Sequence, residues 1–104
     1  MHPVLSERVG PVAELCRRYG VRRLDAFGSA VRAGEFDPSR SDVDFLVEFG
    51  TESDELSDFL DFKEALEALL GRPVDLVERQ AVAASRNPIR RRRILSEAET
   101  IYAA

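Results

Sequence analysis

The sequence predicts a small α/β (α+β) domain, a small mixed β-sheet with flanking helices, on three observations. Stretches with helical apolar spacing alternate with short apolar runs, separated by glycine, proline and capping residues. Beyond its acidic start, the run Asp42 to Phe49 is apolar on both faces, which marks a central strand covered on either side. With 104 residues and 44% hydrophobic content, the chain is expected to be one domain, 1–104, with a core large enough to fold alone.

From about Val4 to Tyr19 the chain reads as helix, with Val9, Val12, Leu15 and Cys16 on one face, Gly10-Pro11 as a kink or fresh start, and Gly20 as the stop. Arg23 to Phe27 reads as strand, and Ser29 opens a short helix. After the strand Asp42–Phe49, Ser53 or Asp54 caps a helix to about Leu70, with Leu56, Phe59, Leu60, Leu66, Leu69 and Leu70 as its apolar stripe. Gly71 ends it, and Arg72-Pro73 lead into the strand Val74–Val77. Asn87 as N-cap and Pro88 as first helical residue start a last helix, expected over 87–103, with Ile94, Ala98 and Ile101 on one face.

Composition excludes several classes. The net charge of −4 argues against direct binding of nucleic acid. The single cysteine, Cys16, rules out an internal disulfide framework, and its apolar helical face places it in the core. No apolar run approaches the ~20 residues that cross a bilayer, and the N-terminus lacks the apolar core of a signal peptide. No membrane association and a cytoplasmic location are therefore expected.

The chemistry concentrates in three places. Asp42 and Asp44 open the apolar strand; alternate strand residues share a face, so their Cα atoms stand about 6.6 Å apart on one side. Aspartate is depleted in strands, and two together need solvent or a cation to offset their repulsion. Asp75 interrupts the apolar run Val74–Val77, and if that strand lies beside the first, three acids converge. Hard cations such as Mg²⁺ take oxygen ligands from a few carboxylates plus substrate phosphates, and two such ions clamp the attacking and leaving oxygens of a phosphoryl displacement. Gly28-Ser29, turning after an apolar strand, supplies close backbone approach, a hydroxyl and amides for phosphate oxygens. Together these residues read as a seat for a nucleoside triphosphate and metal.

The remaining groups divide. Ser29 also suits the N-cap of the helix containing Val31. Arg32 either contacts phosphate, steadies the loop or pairs with an aspartate of the site, and Ser41 caps or orients the turn before Asp42. Asp25 reads as a surface residue, and His2, Tyr19 and Tyr102 carry no assigned chemistry. The run Arg90-Arg91-Arg92-Arg93, with Arg86 nearby, cannot form one narrow stripe, because successive helical residues spread around the axis. It reads as a solvated turn with partners such as Glu97 for Arg93, or as an arm docking on an acidic or phosphate-bearing surface.

Phe27-Gly28-Ser29-x-x-Arg32, Ser41-Asp42-x-Asp44-Phe45-Leu46-Val47 and the later Asp75 resemble the signature of the polymerase-β nucleotidyltransferase superfamily. Nearly the whole chain, including Asn87-Pro88-Ile89-Arg90 through Ile101-Tyr102, is similar to the minimal nucleotidyltransferases (MNT), antitoxins to HEPN-domain toxins. It departs from the family's usual Gly-Ser-Arg-Ala-Arg-Gly at Ala30 and Ala33, and its loop 35–40 is slightly longer. The resemblance implies a polymerase-β-type fold, ATP as substrate and Mg²⁺ (two ions) held by Asp42, Asp44 and Asp75. Gly28, Ser29, Arg32 and Ser41 would bind the nucleotide, and Asp75 would help remove the acceptor's proton. It further implies transfer of AMP to a hydroxyl, a tyrosine, of a cognate HEPN ribonuclease toxin, with the helix 87–103 as docking element and Ile94, Leu95, Ile101 and Tyr102 as its apolar surface. A non-catalytic antitoxin acting by stoichiometric occlusion is the alternative. A third reading, an enzyme modifying a small molecule such as an antibiotic, would need a homo-oligomer to finish the pocket.

Overall fold

Strands β1 (Val21–Phe27), β2 (Val43–Phe49), β3 (Val74–Glu78) and β4 (Glu99–Ala103) form one sheet in the order β3-β2-β1-β4. The computed structural model describes residues 2–32, 34–37, 42–50 and 55–104, with the backbone alone at 55 and 56. β1 runs antiparallel to both β2 and β4, whereas β2 and β3 are parallel. A parallel pair needs a long crossover, and the 16-residue helix α3 (Glu55–Leu70) provides it. The sheet is mixed, with β2 inside it, as the two-sided apolar pattern predicts.

Alternation along the strands divides the apolar residues between two layers. Leu24, Ala26, Val43, Phe45, Val47, Val74 and Leu76 enter the main core under α3 and the preceding helix. Phe27, Leu46 and Val77 face the other way, against Val82 and Ile94. The N-terminal helix is broken: α1 (Pro3–Ser6) and α2 (Val9–Arg18) are separated at Glu7 and Arg8, upstream of Gly10-Pro11. Pro11 falls within the first turn of α2, where its missing N–H costs no helical hydrogen bond, so no kink forms there. Val12 and Cys16 are buried as expected, but Val9 is exposed. Burial pushes the Cys16 thiol up to about 12, so it stays uncharged in the core. In α3 the buried row runs through Phe62 and Leu66 to Leu70, whereas Leu60 projects into solvent. Spacings of three and four residues from Phe59 reach Phe62 and Leu66, and Leu60 falls off that face. The proposed cap at Ser53 or Asp54 and the side chain of Leu56 lie outside the described residues.

The C-terminal segment differs from expectation. The last helix, α5 (Pro88–Glu97), is capped as expected by Asn87, whose Oδ1 accepts from the N–H groups of Ile89 and Arg90 at 3.1 Å. It ends at Glu97. Ala98 turns to φ −61°, ψ 130°, and the rest becomes β4, not a helix to residue 103. Without β4, β1 would present an open edge, and Thr100, Ile101 and Tyr102 are residue types that suit a strand. Ile101 and Tyr102 pack against the main core and are not part of a docking helix.

Asp25 is also not a surface residue. It lies on β1 on the same sheet face as Phe27, fully buried, and its carboxylate is shared by two guanidiniums. Arg23 Nε donates to Oδ1 at 3.1 Å, and Arg79 pairs with Oδ2. Arg79 begins the short helix α4 (Arg79–Ala83), so this pair ties α4 to the sheet from 54 residues away. Replacing Asp25 by Ala takes the carboxylate from both arginines and leaves Arg23 with Thr100 Oγ1 at 3.3 Å. We expect Asp25→Ala to cost ~2–3 kcal/mol in denaturant unfolding, less than a fully buried pair because the guanidiniums keep some solvent. The exposed Asp61→Ala should change stability by no more than ~0.5 kcal/mol.

Candidate active site

Of the groups singled out in the sequence, Gly28, Asp44 and Asp75 meet on the second sheet face, where β1 ends and β2 and β3 begin. Phe27, the last residue of β1, is paired with Asp44, and Asp44 is paired on its other side with Asp75. Asp42 precedes β2 two residues before Asp44. Asp42 and Asp75 are exposed and Asp44 is half-buried. Among the described residues no three acidic, histidine or cysteine side chains are gathered into a ready-made metal cage. The expected convergence of three acids is thus a shared neighbourhood of charge: Asp44 and Asp75 line one cleft, whereas Asp42 precedes the strand and acts on Asp44 through its charge.

That neighbourhood has an electrostatic signature. Burial first, then the charges of Asp75 and Asp42, push the Asp44 carboxyl from an ordinary 3.8 up to about 6, against a smaller opposing pull from Arg32. Negative charge is under-compensated at the strand ends, and the donors are all hard carboxylate oxygens. Such a donor set fits a hard divalent cation, which takes only a few protein ligands and completes its shell with water and phosphate.

Gly28 backs directly onto this group. It starts the 3₁₀ turn Gly28–Ala30 at φ 75°, a conformation unfavourable for other residues. A Cβ there would run into Asp44 Oδ2 and stand 3.3 Å from its Cγ. Only glycine lets the turn pass so close to the carboxylate. Ser29 is not the N-cap of this turn: Phe27 flanks it and no side chain caps it, since the turn begins one residue earlier than expected. Ser29 therefore sits within the turn, half-buried. Ser41, Ala33 and residues 38–40 of the loop lie outside the described residues.

Arg32 pairs with neither Asp42 nor Asp44. Its Nη1 donates to Glu35 Oε2 at 2.8 Å, and its Nε stands 3.6 Å from Glu97 Oε2, too far for a hydrogen bond. The N-terminus braces the same region: His2 N–H donates to Ala30 O at 2.8 Å, and the His2 ring lies 4.5 Å from that of Phe36.

The site opens into a cleft of about 320 Å³. Gly28, Asp44 and Asp75 line it from the sheet, Arg32 from the turn, and Arg90, Arg93 and Glu97 from α5. The α5 residues were not assigned to the site from sequence. Their spacing of three and four along one helical face, flanking the buried Ile94, was the available signal. The expected Arg93–Glu97 pair is present at 3.3 Å.

A mixed sheet carrying a Gly-Ser turn against strand-end acids is the architecture of a nucleotidyltransferase domain. The family model of that description matches residues 12–101, and the chain belongs to this family. Its relatives place it with the minimal nucleotidyltransferases. It is 49% identical to the protein adenylyltransferase MntA of Thermococcus cleftensis over 69 residues, 66% of this chain and 67% of the relative. It is 38% identical to the protein MJ0435 of Methanocaldococcus jannaschii over 94 residues, 90% of this chain and 94% of the relative. A minimal nucleotidyltransferase structure superposes with a TM-score of 0.73 at 36% identity, over 95% of both chains. A toxin–antitoxin structure with AMP-PNP shares the fold at a TM-score of 0.67 and 17% identity, over 92% of this chain and 73% of that one. A tri-AMPylated Shewanella oneidensis HEPN toxin in complex with MNT antitoxin does so at 0.63 and 16%, over 96% and 73%.

Two expectations test the site geometry. Gly28→Ala should lose about 1–3 kcal/mol in thermal or denaturant unfolding, because it forces a side chain into the left-handed region and against Asp44. The raised Asp44 carboxyl also makes cation-free stability depend on pH. Its stabilising contribution is complete below about pH 4, where it is protonated in both folded and unfolded states, and is lost as pH rises through about 6. Melting curves without divalent cations should therefore show Asp44→Asn more stable than wild type at pH 7, with the advantage vanishing near pH 4.

Proposed function

We propose that this chain is a Mg²⁺-dependent protein adenylyltransferase that transfers AMP from ATP to a tyrosine hydroxyl of a cognate HEPN toxin and thereby neutralises it. The observation that carries this reading is the register of Asp44 between Phe27 and Asp75, with Gly28 folded tightly against the Asp44 carboxylate. Its support from relatives is the adenylyltransferase MntA and the AMP-PNP and AMPylated-toxin complexes that share the fold.

In the reaction, the acceptor oxygen forms a bond to the α-phosphorus while the bond from that phosphorus to the α,β-bridging oxygen breaks. Pyrophosphate leaves with the bond's electron pair. Asp75, exposed at the mouth of the cleft, takes the hydroxyl proton, a role that requires hydrogen-bond reach to an incoming acceptor. Asp42, Asp44 and Asp75 would hold Mg²⁺, which when bound supplies Lewis-acid stabilisation of charge on the phosphoryl oxygens. Gly28 and Ser29 present the turn to the β- and γ-phosphates. The cleft is open, so an acceptor on another molecule can enter.

Stoichiometric occlusion is the competing reading, and one observation favours it: Ile89 and Leu95, both on α5, are exposed large apolar residues. Truncation before Asn87 cannot separate the two, because it also removes β4 from the sheet. A substoichiometric amount of the chain with Mg-ATP should inactivate excess toxin, and intact-mass spectrometry should show the toxin gaining whole AMP units. Asp44→Asn should slow this by about a hundredfold or more, since several kcal/mol of charge stabilisation are lost. Full protection by Asp44→Asn at equal amounts, with no change in toxin mass, would replace catalysis by occlusion.

A further inference from the structure

The arginine run is divided by the helix that carries it. Ile94 is buried against the second sheet face and fixes the roll of α5, which brings Arg90 and Arg93 into the cleft on either side of it. Arg91 is engaged elsewhere, with Nη1 donating to Ser85 O at 3.1 Å, and Arg92 is exposed outside the cleft. Among the described residues the Arg90 guanidinium makes no hydrogen bond or ion pair, and the Arg93 guanidinium pairs with Glu97 alone, through Nε. Two guanidiniums thus face a wall built from Asp44 and Asp75 without being neutralised by it. The turn Gly28–Ala30 holds no cation, and Arg32, which follows it, is paired with Glu35.

We propose that Arg90 and Arg93 bind the polyphosphate tail of the nucleoside triphosphate. The inference rests on the nucleotidyl-transfer reading and adds the residues that grip the leaving pyrophosphate. A triphosphate and the site's three carboxylates together carry more negative charge than two divalent cations cancel. Carboxylates alone would repel the tail once it extends beyond the metal. Planar guanidiniums match phosphate oxygens with paired N–H donors and stay charged at every working pH. The spacing of three along one helical face lets both side chains reach one extended anion. Arg32, held by Glu35, lines the same cleft.

Isothermal titration of the full chain with Mg-AMP-PNP and with AMP tests this, comparing wild type, Arg90→Gln/Arg93→Gln and Arg92→Gln. We expect the double variant to bind Mg-AMP-PNP about tenfold or more weakly, as loss of charge-assisted phosphate contacts implies. AMP, which lacks the tail, should bind within about twofold in all three proteins, and Arg92→Gln should match wild type with both ligands. Wild-type affinity of the double variant for Mg-AMP-PNP would overturn the proposal. If that variant also failed to modify toxin, the arginines would belong to a protein-docking surface. Equal weakening toward AMP and Mg-AMP-PNP would overturn it too, by showing a general disturbance of the cleft. Failure of the wild type to bind Mg-AMP-PNP would remove the nucleotidyl-transfer reading, and this proposal with it.

Discussion

The register of β2 against its two neighbours is the constraint on which the rest depends. Antiparallel pairing with β1 sets Phe27 beside Asp44, so the chain must turn at Gly28 directly over that carboxylate. Parallel pairing with β3 sets Asp75 on the other side. A shift of one residue in either pairing would send an acid into the main core or carry the turn away from it. The core enforces the register, because Phe45 and Val47 on one face and Leu46 on the other are buried only in this alignment.

The same sheet face carries two acids removed from water to different degrees, and they are treated in opposite ways. Asp25 is fully buried, and Arg23 and Arg79 occupy both of its oxygens, which makes it a structural clamp. Asp44 keeps partial exposure and receives further negative charge from Asp75 and Asp42, leaving it under-compensated. A group that already has its counterions has no reason to recruit a ligand. One that lacks them lowers the stability of the empty fold and gains from any cation delivered there.

The inner position of β2 and the candidate acids Asp42, Asp44 and Asp75 were legible in the sequence because they rest on local signals, whereas the strand order was not. Strand alternation, the Gly-Ser turn and the Asp-x-Asp spacing are visible within a few residues. The misreadings share a cause, which is dependence on a distant partner. Asp25 looks like any polar strand residue until Arg79 arrives on α4. Ile94, Ala98 and Ile101 keep helical spacing, yet the open edge of β1 converts the last of them to strand. Leu60 and Phe62 are equally apolar, and only the roll of α3 over the sheet decides that Phe62 is the core residue. The cationic wall was missed because four consecutive arginines show no face until Ile94 supplies one.

That helix also bears on how, under the proposed function, one domain would serve both a nucleotide and a macromolecular acceptor. With about 100° of rotation per residue, Arg90, Arg93, Ile94 and Glu97 fall on one side of α5. Ile89, Arg92 and Leu95 fall toward the other, where Ile89 and Leu95 are exposed. The inner face is committed by Ile94 to the sheet and by its charged neighbours to the cleft. The outer face has no such commitment among the described residues. A partner seated on the outer face would lie next to the cleft without filling it, so docking and nucleotide binding need not exclude one another. Catalysis on a bound toxin requires that separation, whereas occlusion alone would need no cleft behind the helix.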